Sequence, residues 1–183
     1  MTTVVSLLRG INVGGKRSLK MAELVDLYQS LRLANPRSHI QSGNVVFGTS
    51  EVDLDGLARR IMGAIEKRFG MRCDVILRTA DQMRQVIESN PFAGRSEIES
   101  NKLVVMFLTG DPGAEARERL RGLPPAPEEF HLSGRELYAW YPDGMGRSKT
   151  SQSAIDRALK VSGTARNWNT VTRLYELAAA HKV

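Results

Sequence analysis

Gly10, Gly15 and Lys16, in the stretch RGINVGGKRS, have the spacing of a nucleotide-binding P-loop, in which turn amides and a lysine hold phosphates. The position after the lysine should carry a Ser or Thr hydroxyl for magnesium, but here it is Arg17, with Ser18 one place late. The later apolar run LVVMFLT is followed by Gly110 before Asp111, so it does not end in a magnesium-binding acid. A working NTPase is therefore not expected. Two readings remain for this segment. Arg9, Asn12 and Lys16 bind an anion ahead of a helix start, or Gly10, Gly14 and Gly15 simply allow a tight turn with positive φ.

Three other stretches carry similar chemistry. In WYPDGMGRSKTSQS, Gly144 and Gly146 open a turn followed by Arg147, Ser148 and Lys149, which can hold phosphate or carboxylate through charge-assisted hydrogen bonds. The bland alternative is a polar surface turn. In TARNWNT, Arg166, Asn167 and Thr170 flank Trp168. These types can read an anion or a nucleobase edge, or they can cap a helix through Asn169 or Thr170 and fill a core. The turn Gln41, Ser42, Gly43, Asn44 adds neutral hydrogen-bonding groups.

Other reaction chemistries lack their residues. His39, His131 and His181 are scattered without ligand spacing, so no metal site is expected. Cys73, the single cysteine, excludes an internal disulfide and reads as an idle thiol. Asp111 and Asp143 sit in turn sequences, and no acidic pair suits glycoside hydrolysis. Lys16 and Lys149 are the most reactive-looking groups, since a lysine among cations can act as base or nucleophile. No cofactor is identified.

The chain has 183 residues, 42% apolar and 25% charged, with a net charge of +6. The excess is local. Residues 1–20 hold Arg9, Lys16, Arg17 and Lys20 with no acid, and residues 145–173 hold six cations against Asp156 alone. No run approaches the roughly 20 apolar residues of a membrane span, and the N-terminus lacks the basic start of a signal peptide. A cytoplasmic protein without membrane contact is expected.

The elements that must position these residues follow from periodicity. TVVSLLR reads as a buried strand and residues 18–32 as an amphipathic helix with Ser18 as cap. Asn35-Pro36 reads as a break, and HIQSGNVVF as a hairpin. Residues 53–69 form a helix capped by Asp53, and 73–79 a strand. This strand–helix–strand–strand–helix–strand order is the ferredoxin-like βαββαβ arrangement. After a connecting helix over 80–90 and a polar loop over 93–101, the order recurs. It comprises a strand at 103–109, a helix at 113–121, a hairpin turning at Ser133-Gly134-Arg135, a helix at 151–162, a strand at 164–168 and a helix at 170–182. Laying Ser42-Gly43 on Ser133-Gly134 matches Val46 with Leu137 and Phe47 with Tyr138. The expected fold is α+β: two ferredoxin-like subdomains with antiparallel sheets, over residues 1–92 and 102–183. A single large sheet is the alternative.

The segments LLRGINVGGK, IQSGNVVF, YPDGMGRSK and TARNWNTVTRL, spread from Arg9 to Leu174, resemble the signatures of the domain-of-unknown-function 1697 family. The resemblance implies a small bacterial protein with two ferredoxin-like subdomains and marks Gly10, Gly14, Gly15, Gly43 and Gly146 beside Arg9, Asn12, Gln41, Ser42, Asn44, Ser148, Lys149, Arg166, Asn167 and Thr170. It implies no reaction. The functional expectation is an anion- or phosphate-ligand site in a basic cleft between subdomains, built from Arg9, Asn12, Lys16, Gln41, Ser42, Asn44, Arg147, Ser148, Lys149, Arg166, Asn167 and Thr170. Its partner would be a phosphorylated small molecule or nucleotide. Nucleic acid is the weaker variant, because aromatics make up only 6% of the chain. Two alternatives stand beside it: a metal-independent transferase or hydrolase acting on such a substrate, and a non-catalytic interaction protein whose motifs are structural.

Overall fold

The computed structural model describes residues 1–12, 19–123 and 126–182. Its elements are β1 (Thr2–Leu8), α1 (Met21–Ser30), β2 (Ala34–His39), β3 (Asn44–Thr49), α2 (Leu54–Phe69), β4 (Val75–Thr79) and α3 (Ala80–Glu88). Then come β5 (Leu103–Leu108), α4 (Ala116–Arg121), β6 (Glu129–Ser133), β7 (Glu136–Trp140), α5 (Gln152–Leu159), β8 (Gly163–Asn167) and α6 (Trp168–Ala179). Two sheets form, ordered β2-β3-β1-β4 and β6-β7-β5-β8, with every neighbouring pair antiparallel. Each is the ferredoxin-like βαββαβ arrangement, so the chain is α+β with two such subdomains. It divides into two compact units, Met1–Gln85 with Arg173–Val183, and Val86–Thr172.

Alternation along β1 sends Val4, Ser6 and Leu8 to one face of the first sheet. There Val4, Leu8, Val45, Phe47 and Leu77 pack with Leu24, Leu27 and Tyr28 of α1 and Leu57, Ile61 and Ile65 of α2. Tyr28 is fully buried, stacks edge-on to Phe47, and shares a 2.7 Å hydrogen bond with Ser6 Oγ that satisfies its hydroxyl. The other face carries Val5, Leu7, Val46 and Ile76, and these are buried too. In the second unit Met106, Leu108 and Leu137 pack with Ala116, Leu120, Ile155 and Leu159. On the opposite face Tyr138 donates its hydroxyl to the Val86 carbonyl of α3 at 2.9 Å.

The two sheets repeat each other in detail. Val5 faces Val46 and Arg78, and Val105 faces Tyr138 and Arg166. The N–H of Leu8 reaches Gly43 O just as that of Leu108 reaches Arg135 O. Gly43 therefore corresponds to Arg135, and Val46 to Tyr138, one residue away from the match made by overlaying the Ser-Gly pairs. The turns differ in length, so residue types near them mislead.

Three other boundaries move. Helix α1 begins at Met21 rather than near Ser18, and Ser18 itself lies outside the described residues. Strand β2 runs through Asn35 and Pro36 with a register irregularity between Ala34 and Arg37. It does so because it is an edge strand, where a proline's missing donor is tolerated. The last helix starts at Trp168, and its cap is Asn167, whose Oδ1 accepts from Thr170 N–H at 2.9 Å. The Asp53 cap on α2 is found as expected, with Oδ1 accepting from Gly56 N–H at 2.8 Å.

Candidate functional site

In the first unit the chain leaves β1 through two backbone bonds, Leu8 N–H to Gly43 O and Arg9 N–H to Asp74 O, both 2.9 Å. Gly43 has φ 74°, and a Cβ there would lie 2.8 Å from Leu8 Cβ and closer still to Ile11, so this approach needs glycine. Asn12, with φ 55°, then uses its side chain like a peptide group. Its Nδ2 donates to Leu19 O at 3.1 Å and to Gln41 O at 2.8 Å, and its Oδ1 accepts from Leu19 N–H at 2.7 Å. Asn12 thus ties Leu19, ahead of α1, to the β2–β3 turn. Lys16 lies outside the described residues.

Helix α1 opens directly after this clamp. Lys20 occupies its N-cap position and makes no side-chain capping bond. Asn12, Lys20, Met21, Ala22 and Gln41 line a hollow of about 440 Å³ at that point. Ser42 and Asn44 are engaged in the neighbouring turn, where buried Asn44 donates from Nδ2 to His39 O at 3.1 Å and to Ser42 Oγ at 2.8 Å. Half-buried Arg9 lines a different hollow of about 590 Å³, with Gly10, Met62, Glu66, Arg72, Cys73 and Asp74. There Arg72 Nε donates to Glu66 Oε1 at 2.6 Å, which raises the guanidinium pKa further. Burial first, and Asp74 second, push the Cys73 thiol up to about 11. The thiol is protonated at neutral pH and is not an activated nucleophile.

In the second unit Arg147 and Lys149 are exposed, around a single 3₁₀ turn over Met145–Arg147. Ser148 is folded into its own loop, donating from Oγ to Thr150 O at 3.1 Å and accepting from Thr150 N–H at 3.0 Å. Ser151 caps α5 by accepting from Ala154 N–H at 3.2 Å. Asn167 and Thr170 are joined by the α6 cap. Arg166 is only 8% exposed, donating from Nη1 to Thr164 Oγ1 at 2.7 Å and to Ala165 O at 2.9 Å. Burial lowers its pKa to about 10, so it remains charged at neutral pH.

The candidates thus fall into local groups. Asn12 meets Gln41, Ser42 meets Asn44, and Asn167 meets Thr170, while Arg9 lines a hollow that shares no described residue with that of Asn12. Sequence reasoning missed Lys20 at the head of α1 and missed Arg78, the counterpart of Arg166. Arg78 is 3% exposed and donates to Leu77 O at 2.9 Å. The signal was present: each arginine is the penultimate residue of its unit's fourth strand, and the next residue caps a helix. Thr79 and Gln82 form a reciprocal capping box at α3, as Asn167 caps α6.

Among the described residues no group of His, Cys, Asp and Glu is placed to hold a metal ion, and no helix is long and apolar enough to cross a membrane. No curated protein matches the chain. The structure of the conserved bacterial protein SP0830 from Streptococcus pneumoniae is similar, with a TM-score of 0.74 and 21% identity over 98% of this chain and 99% of that one. At this identity the likeness is one of fold. The model of the family described as "Protein of unknown function (DUF1697)" matches residues 1–138, which include LLRGINVGGK and IQSGNVVF and end before YPDGMGRSK and TARNWNTVTRL. With most of its length matched, the chain belongs to the DUF1697 family.

Proposed function

We propose that the first unit is an anion-binding module whose seat, for a phosphate or carboxylate group, is the start of α1. One observation carries this reading: α1 opens on Lys20 without a side-chain cap, beside a hollow lined by Asn12, Lys20, Met21, Ala22 and Gln41. First-turn amides of a helix point toward its N-terminal end and have no intrahelical acceptor. The helix dipole adds positive potential there. Lys20 contributes a full charge, and the sequence supplies Lys16 and Arg17 a few residues before it. Phosphate and carboxylate suit such amides and cations alike. The reading is of a binding protein, and burial keeps the Cys73 thiol protonated at neutral pH.

Isothermal titration calorimetry in low-salt buffer with inorganic phosphate, acetate and AMP tests this. Phosphate and AMP should bind, and the double variant Lys16→Met with Lys20→Met should weaken both by about tenfold. The double variant Arg147→Met with Lys149→Met should bind as the wild type does. No heat up to about 10 mM phosphate, or equal binding by the Lys16/Lys20 variant, would overturn the assignment.

A further inference from the structure

The outermost strand of the second sheet is β6, hydrogen-bonded to β7 alone. The two join through Gly134 and Arg135, and their register runs without a shift from Ser133↔Glu136 to Glu129↔Trp140. In a two-residue hairpin the pair flanking the turn exchanges hydrogen bonds, and pairs then alternate. Ser133, His131 and Glu129 therefore turn their amides and carbonyls toward β7, while Phe130 and Leu132 turn theirs outward. No turn or loop bond among the described residues takes those outward groups up.

The corresponding strand of the first sheet, β2, is protected. Pro36 removes a backbone donor from it, its register shifts between Ala34 and Arg37, and Asn35 Nδ2 donates to Lys182 O at 3.0 Å. Proline, irregularity and a covering segment are the usual devices that stop an edge from pairing. Strand β6 has neither proline nor shift. Phe92 and Arg95 do pack on it, but against the side chains of His131 and Glu129, on the face opposite Phe130 and Leu132.

Beside the free edge lies a groove of about 590 Å³ between α4 and β6. Leu120, Leu123 and Phe130 give it an apolar floor, and Arg117 and Arg121 stand on its rim. Arg121 pairs with Glu118 of its own helix, whereas Arg117 is exposed and pairs with no acid among the described residues. Glu128, also lining the groove, has a buried Oε2 with no hydrogen-bond partner among the described residues.

We propose that this edge docks an extended acidic peptide segment of a partner protein, which adds as a further strand beside β6. Its backbone would pair with the outward groups of Phe130 and Leu132, and one of its amides would satisfy Glu128. Alternate side chains of an added strand point the same way. The set on the α4 side would therefore carry the acids, whose stems would cross the leucine floor to reach Arg117 and Arg121, and the small apolar set would lie on the other face, where Phe92 packs on His131.

The test uses a fluorescein-labelled seven-residue peptide of alternating glutamate and valine, titrated with the intact protein and read by fluorescence anisotropy. Saturable binding is expected, with none for the lysine-for-glutamate analogue. Arg117→Glu, its fold checked by circular dichroism, should weaken binding about tenfold. N-methylating the peptide's alternate amides in one phase should abolish binding, and the other phase should be tolerated, a readout that needs no protein variant. Equal binding by both methylated series, displacement by AMP, or no saturable binding would overturn the proposal. Self-association through this edge in sedimentation, lost in Arg117→Glu, would give the strand to a second copy and overturn it as well.

Discussion

Asn12 shows how one side chain can do the work of a peptide unit. Three hydrogen bonds and a left-handed backbone both depend on it. Alanine would leave the Leu19 amide and two carbonyls without it and would strain at φ 55°. Asn12→Ala should therefore destabilise the first unit by about 2 kcal/mol in urea unfolding, and an unchanged midpoint would contradict this role. Titration gives a second expectation. His39 and His181 have pKa values lowered from 6.5, by burial first and then by Arg173 and Arg37 respectively, while a bond to Ala34 opposes the shift at His181. Below pH 6.5 the unfolded chain takes up protons that the folded one resists, so stability falls as pH falls. Above pH 9.0 the unfolded Cys73 loses its proton while the folded thiol keeps it to about 11, so stability falls as pH rises. The melting temperature should be highest between these limits, and Cys73→Ser should flatten the alkaline side. Residue types alone pointed to Asn12 and Gln41, and folding does bring them together. Types could not show that Arg78 is buried, because that depends on which face of β4 is covered.

At the scale of elements, the repeat is clearest where helices begin and end. Asp53 and Ser151 each accept from the amide three residues on, and Gly70 and Lys160 each end a helix in the left-handed region, at φ 64° and 59°. A lysine bears a steric penalty in that conformation that glycine does not. Lys160→Gly should stabilise the second unit by about 0.5–1 kcal/mol in chemical denaturation. A lower midpoint would mean that the lysine side chain contributes contacts beyond its backbone. The strands and helices were legible because apolar residues recur every second or every third to fourth position. The ends were less so. Proline at position 36 reads as a break, and only the sheet order, with β2 outermost, explains why it is accommodated. The α4–β6 groove has no sequence signal, because tertiary packing creates it.

For the whole molecule, the βαββαβ order was readable twice over, since each half carries its own set of strands. Which unit a following helix joins was not readable, because periodicity marks a helix and is silent about the sheet it accompanies. The two divisions fall within α3, after Gln85, and within α6, after Thr172. In the first unit the returning segment holds β2 through Asn35 and Lys182. A polypeptide severed in the polar loop near Ser96 would therefore yield two pieces that are each missing a part, the first lacking 173–183 and the second lacking 86–96. Either piece alone should be largely disordered by heteronuclear NMR, and an equimolar mixture should regain dispersed spectra. Native spectra from one isolated piece would show that the borrowed residues are dispensable. Loaned in opposite directions, these segments make the chain a candidate for a split reporter that reassembles without added binding tags.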